Sequence, residues 1–348
     1  MQKKFYLIIL LLAVVQISFA GNPDRQGEAG AAQLLLNPWA RSAGLHTMTT
    51  ANISGVEALR LNVAGLVRNP SKTQVMVGHA RYFEGTGISM NAVGIAQKVG
   101  ENGAFGVSIM ALDFGDLAVT TTNAPEGTGA FFSPSFFNLG VSYAHQFENK
   151  VSVGLTLRLV SEGTASVTAA GVGIDAGVQY VTGEKDEFKF GISLRNVGSP
   201  LKFSGDGLTQ QAPSPNPDVD DNLSFSIRSN SYEMPSVLNI GASYDFIINP
   251  KNRVTILGNF TSNTFSEDQI GGGVEYVFND MFMLRGGYKY ELDTDVEAKE
   301  SVYNGISGGA SVQVPLNKEK GTSFGIDYAY RHTNVWNGTH NISLRIDI

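Results

Sequence analysis

The chain has 348 residues, and its mean hydropathy of −0.04 excludes a bundle of apolar membrane helices. It carries 32 acidic and 25 basic side chains, a net charge of −7 that disfavours a nucleic-acid partner. The absence of cysteine excludes a disulfide framework, a thiolate metal site and a lipoprotein anchor.

The first twenty residues have the three parts of a secretory signal peptide. Lys3 and Lys4 provide a basic start, an apolar stretch follows, and Ser18-Phe19-Ala20 forms a small-x-small cleavage site. The apolar stretch is too short to span a bilayer stably. We therefore predict a signal peptide over 1–20 and export of the mature chain, with a retained anchor helix as the alternative.

The stretch 21–70 differs in its residue pattern from the rest of the chain. It mixes small residues with short apolar runs, does not alternate cleanly, and ends at the turn signal Asn69-Pro70. We predict a plug-like segment over 21–70, helical around 31–36 and 55–66, that lies inside or beneath the remainder.

Regular alternation begins after this segment and is clearest over 136–159. Large apolar residues such as Val141 and Leu155 alternate there with small or polar ones such as Ser142 and Thr156. A period of two predicts strands, and strands of about ten residues with one apolar face are typical of transmembrane barrels. Arginine on the lipid face, at Val141 or Leu155, should then cost about 2–4 kcal/mol, and much less at Ser142 or Thr156.

Fourteen such strands can be counted, an even number as in single-chain bacterial barrels. The 40 glycines suit such a barrel, where lumen and backbone are crowded. We predict an all-β fold: a 14-stranded antiparallel transmembrane β-barrel over 71–348. The predicted strands are 73–83, 87–99, 103–113, 135–148, 151–161, 171–182, 187–197, 236–248, 252–262, 268–278, 281–291, 305–315, 322–332 and 339–348.

The connections between these strands alternate in length. Those after even-numbered strands are mostly short, whereas those after odd-numbered strands are mostly longer, up to 198–235. Long loops outside and short turns inside are the outer-membrane pattern. This pattern predicts the outer membrane of a Gram-negative bacterium, with both chain ends on the periplasmic side.

Charged residues fall on the face of the strands opposite the large apolar residues, so they should point into the lumen. The simplest interpretation is that they form luminal charge pairs or contact the N-terminal segment; a ligand path is the alternative. The residues singled out are Arg158, Arg195, Arg285, Lys289, Asp327, Arg331 and Arg345.

Several strings resemble known outer-membrane families. Asn62-Val63-Ala64-Gly65-Leu66 resembles the N-terminal motif of FadL-like barrels, with valine in place of the usual proline. Further strings, among them Leu112-Asp113-Phe114-Gly115-Asp116 and Leu194-Arg195-Asn196-Val197-Gly198, resemble the PorV/PorQ family of Bacteroidetes. That resemblance implies a fourteen-stranded barrel associated with type IX secretion. The chain departs from it at Val63 and in lacking a C-terminal aromatic residue.

Sequence patterns for catalysis and metal binding are weak. The G-x-S-x-G matches around Ser307 and Ser323 lie in alternating strands, where the motif cannot form its sharp strand-to-helix turn. The five histidines share no ligand spacing. A cluster of aspartates could hold Ca²⁺, but a solvated acidic loop is the simpler interpretation; the residues are Asp218, Asp220 and Asp221. We therefore predict no enzyme activity, no metal and no cofactor.

Function is predicted from the barrel and its loops. The leading hypothesis is a non-enzymatic component or accessory of type IX protein secretion that binds a translocon or secreted-protein partner. Phe131, Phe132 and Trp336 are aromatic residues in loops and could anchor that partner or fold over the barrel as a lid. The alternative is a FadL-like channel carrying a hydrophobic ligand through the lumen.

Overall fold

The structure is a computed structural model that describes residues 25, 27–148, 150–215, 221–292, 302–317 and 321–348. The predicted signal peptide lies outside the described residues, as do Asp218 and Asp220 of the conceivable Ca²⁺ loop. Within the described residues, no helix combines the length and apolar character needed to cross a membrane.

Twenty strands follow one another along the described chain, and fourteen of them close into one barrel. They are β1 (Thr73–Arg81), β2 (Ser89–Val99), β3 (Gly103–Asp113), β4 (Leu117–Ala118), β5 (Phe131–Phe132), β6 (Ser135–Phe147), β7 (Val151–Thr164), β8 (Val167–Thr182), β9 (Phe188–Gly198), β10 (Leu201–Lys202), β11 (Thr209–Pro213), β12 (Asn222–Ser226), β13 (Ser231–Tyr232), β14 (Val237–Asn249), β15 (Asn252–Asn263), β16 (Gln269–Phe278), β17 (Phe282–Glu291), β18 (Tyr303–Asn317), β19 (Thr322–Thr333) and β20 (Thr339–Asp347).

The barrel order is β1-β2-β3-β6-β7-β8-β9-β14-β15-β16-β17-β18-β19-β20, every neighbour pairs antiparallel, and β1 pairs with β20. The other six strands form three two-stranded ribbons in the connections. The predicted fourteen-stranded barrel is therefore confirmed. Because β1 pairs with β20, the closed barrel has no free edge, and no edge backbone groups are left unpaired in lipid, which cannot hydrogen-bond them.

Side-chain alternation separates a lipid face from a luminal face, as β6 and β7 illustrate. Val141 and Leu155 are 49% and 54% exposed on the outside. Ser142 and Thr156 are buried inside, and their hydroxyl oxygens lie 2.7 Å apart. Because these luminal positions are packed, arginine at Ser142 or Thr156 would collide with neighbours. The prediction that arginine costs little at Ser142 and Thr156 is therefore wrong.

The connections sit at two ends, which we call the turn end (short connections) and the loop end (long ones). The exception is the connection between β7 and β8, predicted to span about ten residues. The two strands instead keep pairing to Thr164 and Val167, and the turn is completed by Ala165, whose φ is 45°. The sequence of 162–170 does not alternate between apolar and polar residues, although the hydrogen-bonded pairing of β7 with β8 continues through these residues.

The N-terminal segment fills the lumen with short helical turns. They cover Ala32–Leu35, Ala40–Ala43, Gly55–Glu57, Ala58–Leu61 and Val63–Arg68, so the predicted partly helical segment in the lumen is confirmed. Trp39 and Leu66 are completely buried in it. The core of the molecule therefore lies between this segment and the inner face of the barrel.

The segment runs through the barrel from one end to the other. Near its start, the Gly30 N–H donates to the Glu233 carbonyl at the loop end over 3.1 Å. At its finish, the Thr73 N–H donates to the Ile348 carbonyl at the turn end over 2.9 Å. The prediction that both chain ends lie at the turn end is therefore wrong for the described N-terminal residues. Connection lengths fix only where β1 begins, and they carry no information about the chain before it.

Candidate functional site

The motif Asn62-Val63-Ala64-Gly65-Leu66 fastens the N-terminal segment to the barrel wall. The Asn62 side-chain amide donates to the Thr50 carbonyl at 2.8 Å and to the Val178 carbonyl on β8 at 3.1 Å. Its oxygen accepts from the Ala64 N–H at 3.2 Å. Ala64 and Leu66 are fully buried.

Glycine makes this close approach possible. A Cβ at Gly177 would lie 2.0 Å from Asn62 Oδ1, and one at Gly65 would lie 2.1 Å from the Ile53 carbonyl oxygen. A Cβ at Gly191 of β9 would lie 2.4 Å from the Thr50 carbonyl. The luminal glycines thus remove side chains where the segment touches the wall.

A first group of buried charges joins the segment to β7, β8 and β9. Arg158 pairs with Asp175 and donates to the Leu59 carbonyl at 3.3 Å. Arg195 donates to the Arg60 carbonyl at 3.1 Å. Asp175 also accepts from the Asn196 N–H at 2.7 Å. Asp175 is therefore the carboxylate at the centre of a mostly basic group.

A second group joins the segment to β16 through β19. Glu275 lies between Arg41 of the segment, at 2.9 Å, and Arg285 of β17, at 3.0 Å. The Arg285 guanidinium also donates to the Ser311 hydroxyl at 2.6 Å, and that hydroxyl donates to the Asp327 carboxylate. Of these contacts, the one between Arg41 and buried Glu275 holds the segment, by a charge-assisted hydrogen bond.

Glu57 of the segment borders the second group. One of its carboxyl oxygens accepts from the Ser42 N–H at 3.1 Å. Burial, together with repulsion from Asp327, raises the pKa of the Glu57 carboxyl above its usual range, although Arg41 and Arg285 act against this.

The remaining predicted luminal residues lie apart from these groups. Arg345 pairs with Asp347 at 3.3 Å near the turn end. Lys289 donates to Gln269 at 2.9 Å, and the Arg331 guanidinium lies 4.6 Å from the centre of the Tyr303 ring. The structure therefore distributes the seven predicted charges along the lumen rather than into one site.

Two residues that the sequence predictions did not include, Asp175 and Arg60, complete the first group. Asp175 could have been found, because it occupies the luminal parity of β8. Arg60 lies in the non-alternating segment, and no sequence signal marks it.

A cavity of about 560 Å³ opens at the turn end beneath the segment. Its walls include Arg41, Glu57, Lys189, Asp245 and Arg345, so both signs of charge face it. Such a polar chamber suits water or a polar chain better than an apolar ligand.

The three predicted loop aromatics do not form one patch. Phe131 is 66% exposed and Phe132 is half-buried, both in β5, which pairs with β4. Trp336 is 51% exposed, and its ring centre lies 5.1 Å from that of Phe83. Phe131 is thus largely exposed, whereas Trp336 packs against Phe83 of the connection between β1 and β2.

The two serines of the G-x-S-x-G matches are held by luminal packing. Ser307 donates to the Gly44 carbonyl at 3.2 Å, and Ser323 donates to Asp347 at 3.1 Å. Across the described residues, no group of three or more His, Asp or Glu side chains is arranged to hold a metal ion.

A family-level sequence model for the type IX secretion system membrane protein PorP/SprF matches residues 86–346, from the start of β2 nearly to the end of β20. The chain belongs to the PorP/SprF family. The predicted PorV/PorQ membership is therefore wrong, although the link to type IX secretion stands. The strings that suggested it consist largely of alternating strand residues and turns, which barrels of different families share.

Solved structures similar to this PorP/SprF chain are FadL-like barrels. The toluene transporter TodX of Pseudomonas putida has a TM-score of 0.57 at 13% identity, with 89% of this chain and 97% of that chain covered. The Ralstonia pickettii toluene transporter TbuX gives 0.54 at 15% identity, covering 89% and 97%. A Pseudomonas aeruginosa FadL homologue gives 0.55 at 12% identity, with the same coverage. At these identities the likeness concerns the fold alone. No curated protein matches the chain.

Proposed function

We propose that this chain is a non-enzymatic outer-membrane component of the type IX secretion system that binds a protein partner at its loop end. The family match carries the proposal, because it names a secretion-system membrane protein and covers nearly the whole barrel. The predicted signal peptide and the long-loop, short-turn pattern support the outer membrane as its location.

The packing of the lumen favours a binding role over a channel. The N-terminal segment is held by the ion pair of Arg41 with buried Glu275 and by the side-chain amide of Asn62. Opening a hydrophobic path would break these contacts, and the buried Arg195 guanidinium would also lose its hydrogen bond to the Arg60 carbonyl, which is unfavourable. The channel hypothesis rests on fold likeness to transporters, and fold alone does not imply function.

Co-purification from native membranes tests the proposal. Cells expressing tagged wild-type protein are crosslinked, and the complexes are compared with those of the variant Phe131→Ser, Phe132→Ser, Trp336→Ser. Phe147→Ser is the matched control, since Phe147 is an exposed aromatic at the turn end of β6. We expect one defined protein partner with wild type and control, and its loss with the triple variant.

Two results would count against the proposal. If wild-type protein carries no protein partner but retains a fatty acid or another apolar molecule, the channel hypothesis replaces it. If all three proteins carry the same partner, the loop aromatics are not the anchors and the binding surface lies elsewhere.

A further inference from the structure

The longest connection, between β9 and β14, carries a two-stranded ribbon of β11 and β12 that no barrel strand joins. Every residue of β12 is exposed. A ribbon of two strands is at best marginally stable in water by itself. This ribbon would therefore gain stability if a third strand paired with it.

The two faces of the ribbon differ sharply. Ala212 is paired with Leu223, and Gln210 with Phe225, so both apolar side chains of β12 lie on one face. Ile227 continues that face, because its N–H donates to the Leu208 carbonyl at 2.8 Å. Thr209, Gln211, Ser224 and Ser226 lie on the other face. An exposed apolar stripe on a polar loop is typical of an interaction surface.

The hydrogen-bond register shows which edge is free. Ile227 bonds to Leu208, and the Ser214 N–H donates to the Asp221 carbonyl at 3.1 Å. Alternate residues of an antiparallel pair point their N–H groups inward, so those of Asn222, Ser224 and Ser226 point outward. No described strand lies beside this edge. On β11 the corresponding outer edge is interrupted by Pro213, which has no N–H.

Charge identifies the kind of strand that would fit. The sequence 205–228 contains four aspartates against one basic residue, Arg228, which directly follows Ile227. A second copy of the ribbon would bring like charges together, and an anionic lipid surface would also be repelled. A basic strand would be attracted.

We propose that β12 is completed by an extended segment of a partner protein that carries apolar residues and a net positive charge, and that pairs along the edge formed by Asn222, Ser224 and Ser226. Main-chain bonds would supply affinity, while the stripe of Leu223, Phe225 and Ile227 would select apolar side chains. This inference rests on the proposed partner-binding function and names the chemistry of the partner.

A peptide probe tests the inference on the purified full chain in detergent. The probe is a fluorescent peptide of alternating valine and lysine, compared by anisotropy with a valine–glutamate peptide and with a version N-methylated on alternate amides. We expect the lysine peptide to bind at least about tenfold more tightly than either comparison, because each removes one source of recognition.

Two proline variants on one rung of the ribbon provide the matched control. Ser224 and Gln211 are cross-strand partners, and both have outward N–H groups. Ser224→Pro blocks the free edge of β12, whereas Gln211→Pro alters the already interrupted edge of β11. We expect Ser224→Pro to weaken binding by about tenfold or more and Gln211→Pro to leave it within about twofold.

The contrary outcomes are distinct. Equal effects of the two prolines, or unchanged binding of the methylated peptide, overturn strand addition at β12. A wild-type dimer in sedimentation that Ser224→Pro converts to a monomer makes a second copy the occupant and overturns a basic partner. Failure of the wider function is separate, since it shows as the absence of any protein partner on wild-type protein from native membranes.

Discussion

At the scale of single residues, the free-energy cost of introducing a charge depends on whether the side chain faces lipid or the polar lumen. Val141 faces lipid, whereas Gln313 lines the polar cavity at the turn end. Val141→Arg should lower the free energy of unfolding by about 2–4 kcal/mol. Gln313→Glu should lower it by less than about 1 kcal/mol, because Arg345 already donates to Gln313 Oε1 at 3.0 Å and would pair with the new carboxylate. Urea unfolding in lipid vesicles measures both. Equal losses at the two positions would show that the face assignment is wrong.

The carboxylate of Asp175 is the most consequential luminal charge, because it offsets Arg158 in a completely buried position. Asp175→Asn should cost about 3–5 kcal/mol, the range for breaking a buried pair. Asp245 pairs with Lys189 where both side chains are partly exposed, so Asp245→Asn should cost about 1 kcal/mol or less. Thermal unfolding of the two variants checks the contrast, and similar melting temperatures would refute it.

Glu57 makes the seating of the N-terminal segment depend on pH. Its folded-state pKa is raised, chiefly by burial, so the folded form favours the protonated carboxyl. Stability from this group is complete below the unfolded pKa of about 4.3 and is lost as the pH rises through the folded pKa.

Glu57→Gln should therefore flatten the fall in melting temperature above pH 4, while Glu126→Gln, in an exposed loop, should not. Wild type and Glu57→Gln with the same pH slope would show that the folded-state pKa of Glu57 is not raised.

At the scale of elements, the N-terminal segment and the barrel wall fit through glycine. Gly177→Ala would place a Cβ 2.0 Å from Asn62 Oδ1, so the motif should leave the wall of β8. Gly258→Ala makes the same chemical change where the nearest atom is 3.8 Å away. We expect faster proteolysis within residues 31–67 for Gly177→Ala only. Equal protection in both variants would mean that Asn62 does not hold the segment.

The sequence predicted the barrel well, because alternation states directly which face of each strand is apolar. It predicted the segment's helical stretches but not its path, since contacts such as Gly30 with Glu233 join residues far apart and leave no local pattern. For the same reason Arg60 was missed, while Arg158 and Arg195 followed from strand parity. The amphipathic ribbon of β11 and β12 was not predicted either, because its two short strands lie within a loop rich in turn residues.

At the scale of the whole molecule, the barrel is a rigid wall around a segment that runs from the loop end to the turn end. Bonds from Arg41 to Glu275 and from Arg158 to the Leu59 carbonyl hold that segment at two places, which suits a scaffold more than a conduit. Under the proposed function, we expect recognition at the loop end, through Phe131 and the free edge of β12. The turn end carries the charged cavity.

The most direct test of this account compares secretion with uptake in a strain lacking the protein. Proteins at the cell surface and in the medium are quantified by mass spectrometry, and entry of a labelled hydrophobic compound is measured in the same cells. A role in type IX secretion predicts the loss of one or more type IX cargo proteins, restored by wild type but not by Ser224→Pro, with uptake unchanged. Intact secretion together with reduced uptake would contradict it.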